Sequence, residues 1–186
     1  MKRKFFCLIF LLISGTNYAQ GYDTSLITNR DLYVFKMGPG LINTGSQLFQ
    51  KFSPNFEIAK RFEVYEGALE ISTHYSKKSG NNKSVHWSFP KLTYLFFHEP
   101  QDYNTFYYGG GISWSKINTK GNTSNPKMHF EGLFIEGTVG YELHRHRRIR
   151  TLIELSISQP MSASSHKGPH PGPSFFANIG FGLGSN

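Results

Sequence analysis

Between Thr105 and Gln159 the chain repeats one pattern three times: apolar residues at every second position, with small or polar residues between them. Phe106, Tyr108, Gly110, Ile112 and Trp114 make the first register, interleaved with Tyr107, Gly109, Gly111, Ser113 and Ser115. Leu133, Ile135, Gly137, Val139, Tyr141 and Leu143 make the second, and Ile149, Thr151, Ile153, Leu155 and Ile157 the third. Side chains of a β-strand alternate between its faces, so each segment presents one oily face and one small or polar face. A period of two excludes helices here and requires a sheet with two chemically different sides.

The rest of the chain follows suit. Tyr33, Phe35 and Met37 share a parity; Phe56, Ile58, Lys60 and Phe62 form an imperfect second segment; Leu69, Ile71, Thr73 and Tyr75 a clearer third. In the run from Val85 to Phe97 the apolar parity changes at Pro90, where a bulge would restore a single stripe. The last segment alternates Phe175, Ala177, Ile179, Phe181 and Leu183 with Ser174, Phe176, Asn178, Gly180 and Gly182. Eight strands are expected, at about 31–39, 55–63, 67–77, 84–97, 104–117, 129–143, 149–159 and 174–184. Gly38-Pro39-Gly40 is expected to stop or bend the first, because proline lacks a ladder donor. The breaks at 64–66, 98–103 and 144–148 are short, while those at 40–54, 78–83, 118–128 and 160–173 are mostly longer; 46–52 is read as an outside loop, with one helical turn as the alternative.

The N-terminus is read separately. Lys2, Arg3 and Lys4 precede the apolar run Phe5 to Ile13, and Asn17-Tyr18-Ala19 offers a cleavage point, so residues 1–20 are expected to be a signal peptide and 21–186 one barrel domain. That leader holds the single cysteine, Cys7, and three basic residues with no acid; without it the formal net charge drops from +8 to +5. A cysteine-free exported chain is not a disulfide-stapled fold. No later stretch has the ~18–20 apolar residues of a spanning helix, so any membrane crossing must use strands. The basic residues are scattered apart from His144-Arg145-His146-Arg147-Arg148, which does not make a nucleic-acid surface.

A soluble barrel hides its apolar face and charges its outside. Here the non-apolar face is mostly Gly and Ser, which suits the crowded interior of a small barrel, and the other face is aromatic and aliphatic. The fold class expected is all-β, an eight-stranded antiparallel up-and-down transmembrane β-barrel. A soluble lipocalin-like, ligand-binding barrel is the alternative. Tyr33, Trp87, Phe97, Phe106, Trp114, Tyr141 and Phe175 are expected to form aromatic girdles facing lipid. Glu70, Glu136, Glu142, Arg150 and Glu154 are expected inside, paired into a polar plug, since unpaired buried charge is costly.

With its leader, eight alternating strands, short and long breaks and the closing segment Phe175-Phe176-Ala177-Asn178-Ile179-Gly180-Phe181-Gly182-Leu183, the chain resembles the small outer-membrane barrels of Gram-negative bacteria, of the OmpX-like and OmpA-barrel type. The resemblance covers nearly all of the chain after the leader. It implies location in the bacterial outer membrane, outer-membrane lipid as solvent, insertion by the barrel-assembly machinery, and a monomer. Members of that group commonly end on an aromatic residue; this chain ends Gly184-Ser185-Asn186. The group differs widely in activity, so only envelope-structural or surface-interaction roles carried by the outer loops are expected, with no cofactor. Some relatives modify lipid A with a histidine, a serine and an acid, the deacylases carrying His-x-Ser-Asn. His74-Tyr75-Ser76-Lys77, with Ser72 nearby, is the nearest match and has lysine in place of asparagine. His86 and His129 are no more specific, and His166 with His170 lacks the carboxylate or cysteine partners of a zinc site, so no metal is expected.

Overall fold

The structure is a computed structural model that describes residues 31–44, 52–64, 67–79, 83–120 and 127–184. The expected leader therefore lies outside the described residues, as does nearly all of the segment 46–52, read as an outside loop with one helical turn as the alternative. Eight strands are present: β1 (Leu32–Leu41), β2 (Ser53–Val64), β3 (Gly67–Lys78), β4 (Ser84–Phe97), β5 (Thr105–Thr119), β6 (Met128–Leu143), β7 (Ile149–Lys167) and β8 (Ser174–Gly184). Each pairs antiparallel with the next, and β1 pairs with β8, which closes the barrel. Closure satisfies the backbone without leaving an edge, the condition for a strand protein in hydrocarbon.

The alternation seen in the sequence fixes the two faces. Phe35, Ile58, Ile71, Tyr94, Ile112, Val139, Ile153 and Phe181 all point outward and are exposed. Lys36, Glu57, Glu70, Thr93, Ser113, Glu136, Glu154 and Asn178 point inward and are buried. An apolar outside around a polar inside inverts the pattern of a water-soluble barrel and is the arrangement that lipid solvation demands. The parity change in β4 has the expected cause. Phe89 and Pro90 both face outward, the register slips between Ser88 and Lys91 against β5, and the interior series Ser84, His86, Ser88, Lys91, Thr93 and Leu95 continues across the slip.

Two boundaries differ from expectation. β1 does not end at Gly38-Pro39-Gly40 but runs to Leu41. Pro39 lies opposite Pro54 on β2, so two residues without donors face each other, and Gly38 and Pro39 are skipped in the ladder to β8. β7 continues to Lys167 through the stretch read as loop, pairing with β6 as far as Lys167 opposite His129. Its partner β8 begins only at Ser174, so this last part of β7 rises beyond the barrel with a neighbour on one side.

Inside, two apolar clusters lie at the ends. Leu32, Val34, Ala59, Ala68, Leu95, Phe97, Tyr107 and Leu152 gather at the end of the short turns. Ile42, Ile117, Met128, Phe130 and Phe134 gather at the end of the long connections. Charge fills the space between.

Candidate functional site

The interior charges form one connected network. Lys36, on β1, places its ammonium 3.2 Å from Glu57, 2.6 Å from Glu70 and 3.0 Å from Glu154. Glu57 is shared with Lys91 at 2.9 Å, and Glu154 accepts the Tyr107 hydroxyl at 2.9 Å. From Glu70 the network passes to Arg61 at 2.8 Å, from Arg61 to Glu142 at 2.9 Å, and from Glu142 to Arg150 at 2.8 Å. Arg150 and Arg145 then share Glu63, Arg145 at 3.1 Å. Five cations and five carboxylates from six strands and one turn are thus joined from the short-turn end to mid-barrel. Each ion is desolvated by the barrel wall, and only mutual pairing makes that tolerable.

Glu136 stands apart from these pairs. It accepts hydrogen bonds from Ser113 at 2.5 Å and Ser158 at 2.9 Å. Ser113 is bonded in turn to Ser115 at 2.8 Å, Ser115 donates to Ser88 at 2.6 Å, and Ser88 reaches Nε2 of His86 at 3.3 Å. A hydroxyl chain therefore continues from mid-barrel to the histidines beneath the Phe130 and Phe134 cap. His86 meets His74 edge-on with ring centres 5.4 Å apart, and His74 packs on Phe176 at 4.3 Å.

The five interior residues singled out by sequence, Glu70, Glu136, Glu142, Arg150 and Glu154, all sit inside, and Arg150 pairs with Glu142. The aromatic set divides. Tyr33, Trp87, Phe106, Trp114, Tyr141 and Phe175 face outward, but Phe97 does not: it is 5% exposed and lies in the interior cluster at the short-turn end. Its position at the end of a strand suggested a girdle, yet Phe96 has the outward parity in β4, so Phe97 must face in. The cluster His144 to Arg148 divides likewise. Arg145 turns inward into the network, while Arg147 and Arg148 remain exposed.

Lys36, Glu57, Arg61, Glu63 and Lys91 were missed by sequence reading. Four carried a usable signal, being opposite in parity to Phe35, Ile58, Phe62 and Val64; Lys91 was hidden by the slip at Pro90. Arg145, in a turn, had none. The histidine candidates lie in two places. His74 is buried with Ser72 and Ser76 on the same interior face, but Ser76 bonds Ser53 and the Pro54 carbonyl, and no serine hydroxyl or carboxylate is bonded to the His74 ring among the described residues. His166 and His170 stack at 4.1 Å over Phe130. Among the described residues no group of three potential metal ligands converges.

No protein-family model matches the sequence, and no curated protein matches it. Solved structures do. Neisserial surface protein A superposes with a TM-score of 0.64 at 10% identity, over 82% of this chain and 96% of that one. The N-terminal barrel domain of Pseudomonas aeruginosa OprF gives 0.56 at 8% identity, over 84% and 98%. Ail of Yersinia pestis, solved with the heparin analogue sucrose octasulfate, gives 0.54 at 8% identity, over 84% and 100%. At such identities the likeness establishes the fold, and that fold is the small eight-stranded outer-membrane β-barrel.

Proposed function

We propose that the protein is a monomeric barrel of the bacterial outer membrane, delivered by a cleaved leader and the barrel-assembly machinery, with a sealed interior and a role exercised at its extracellular end. The observation that carries this reading is the continuous ion-pair network from Arg145 to Lys91 inside an apolar outer wall. An eight-stranded barrel has room for little more than its own side chains. Here those side chains are salt-bridged to one another and closed over by Phe97 and Leu95 at one end and Phe130 and Phe134 at the other. Such a lumen supports a scaffold, with the loops left as the working surface.

The reading is tested on the purified chain refolded into lipid vesicles. A closed membrane barrel resists SDS when unheated, so its gel mobility must change on boiling, and planar bilayers containing it must show no unitary current steps. Solubility without detergent and unchanged mobility would overturn the membrane barrel. Regular current steps would overturn the sealed interior alone.

A further inference from the structure

The long-connection end of the barrel is basic and almost free of acid. The connections at 42–52, 79–83, 120–127 and 168–173 contain no Asp or Glu, whereas two of the short turns carry Glu66, Glu99 and Asp102 and the third carries Arg145, Arg147 and Arg148. Six of the seven described lysines at this end share a direction, while Lys78, opposite buried Ser84, has the inward parity. Strand alternation sets Lys77 above outward Tyr75 on β3, and Lys83 above Trp87 and Val85 at the start of β4. On β5, Lys116 and Lys120 continue the outward series of Ile112 and Trp114; just before β6, Lys127 continues that of Leu133 and Glu131. Lys167 pairs with His129 and so takes the same side.

The strand ends are contiguous. The Lys120 amide donates to the Lys83 carbonyl at 2.8 Å, and Thr119 pairs with Met128 next to Lys127. Lys116 lies directly opposite Trp87, at the height of the outward aromatics. It pairs with Glu131 at 3.2 Å, and that carboxylate also accepts from the Trp114 indole at 3.4 Å. Lys77, Lys83, Lys120, Lys127 and Lys167 are exposed and have no ion pair among the described residues.

We infer that this arc of lysines binds the phosphate groups of lipid headgroups packed against the barrel wall. The direction of the side chains selects the partner. They lie on the lipid side of the wall immediately beyond the aromatics, where headgroups sit, and not over the mouth of the barrel, where a soluble polymer would drape. Lysine ammonium groups are compact point charges suited to phosphate monoesters, and several in an arc match a headgroup bearing more than one phosphate. The inference rests on the membrane-barrel reading and names the partner of its outer rim.

The test uses full-length barrel that has already passed the heat-mobility check, in nanodiscs of phosphatidylcholine, so failure to insert is separated from failure to bind. Native mass spectrometry counts retained diphosphoryl lipid A, its dephosphorylated form, or phosphatidylglycerol, and a soluble heparin fragment is titrated in parallel. Retention of diphosphoryl lipid A is expected, reduced about tenfold by removing the phosphates or by the combined Lys83→Gln, Lys120→Gln and Lys127→Gln variant, and preserved when the three are changed to Arg. Equal retention of phosphatidylglycerol would support phosphate recognition and identify it as indifferent to the lipid class. Equal retention of the dephosphorylated form, or no effect of the glutamine variant, would overturn the inference. So would tighter binding of the heparin fragment than of either phosphorylated lipid, which would make the rim a receptor for a soluble polyanion.

Discussion

The guanidinium of Arg145 lies 3.7 Å from the ring centre of Phe97, and this stack anchors the short-turn end of the charge network. Arg145 also donates to the Pro100 carbonyl at 3.0 Å and bridges to Glu63, so one turn residue ties β4, the following turn and β2 together. Phe97, turned inward by the parity of β4, gives the arginine an apolar and π-rich bed on its way into the lumen.

Three arginines in this turn are therefore not equivalent. Arg145→Ala should lower unfolding stability by about 3 kcal/mol, because it leaves Glu63 short of a partner in a buried site. Arg147→Ala and Arg148→Ala, both at exposed residues, should each stay within about 0.5 kcal/mol of the parent. Urea unfolding in lipid vesicles, followed by tryptophan fluorescence, measures all three; equal effects would mean that Arg145 is not part of the buried network.

Lys36 is the hub of the network, among the described residues the one cation within bonding distance of three carboxylates. Lys36→Met removes the charge but keeps most of the stem, leaving Glu57, Glu70 and Glu154 facing one another. A loss of about 3–5 kcal/mol is expected. Glu154→Gln added to that variant should recover more than about 1 kcal/mol, since it removes one of the stranded charges. Additive effects in the double-mutant cycle would refute the hub.

The fold was legible in the sequence for a physical reason: lipid outside and a crowded lumen inside impose opposite chemistries on alternate residues, and β5 to β8 follow them along mid-barrel, the inward apolar residues gathering toward the two ends. The same rule reached Glu70, Glu136, Glu142, Arg150 and Glu154, because each is a lone charge set between residues of the outward register. It failed where parity is interrupted or absent. Lys91 follows the two outward residues Phe89 and Pro90, and Arg145 belongs to a turn with no period at all. The length of β7 was hidden too, because Pro160 and the run Ser162 to Ser165 look like loop; only pairing with β6 makes them strand.

Two adjacent glycines in β5 test the difference between the faces. Gly111 points into the barrel wall at a place where a Cβ would come within 1.9 Å of the Leu92 carbonyl oxygen, a backbone atom that cannot give way. Gly110 points outward, where the nearest atom to a Cβ is the Glu136 carbonyl oxygen at 3.5 Å. Gly111→Ala should prevent refolding or cost several kcal/mol, because strand backbone would have to move. Gly110→Ala should gain about 0.5–1 kcal/mol by limiting the unfolded chain. Fractional refolding on unheated gels separates these outcomes, and similar behaviour of both variants would contradict the assigned faces.

The projecting end of β7 should be far less stable than its base. From Thr151 to Ser158 the strand is paired on both sides, with β6 and β8; from Gln159 it pairs with β6 alone, through two register slips. The ladder skips Met161 and Ser164; Ser164 lies between Ala163 opposite Gly132 and Ser165 opposite Glu131, and its exposed hydroxyl donates to the Glu131 carbonyl at 3.0 Å. A proline there falls at a bulge on a stretch with one neighbouring strand, whereas a proline at Ser156, paired with Thr138 and Phe176, removes a donor inside the closed wall. Ser164→Pro should therefore refold with stability within about 0.5 kcal/mol of the parent, and Ser156→Pro should fail to form a heat-modifiable barrel. Hydrogen exchange gives the same division without mutation: amides from Met161 to Ser165 should exchange by local opening while those from Ile153 to Ile157 exchange only on global unfolding. Uniform protection along β7 would mean that another element covers the projecting edge.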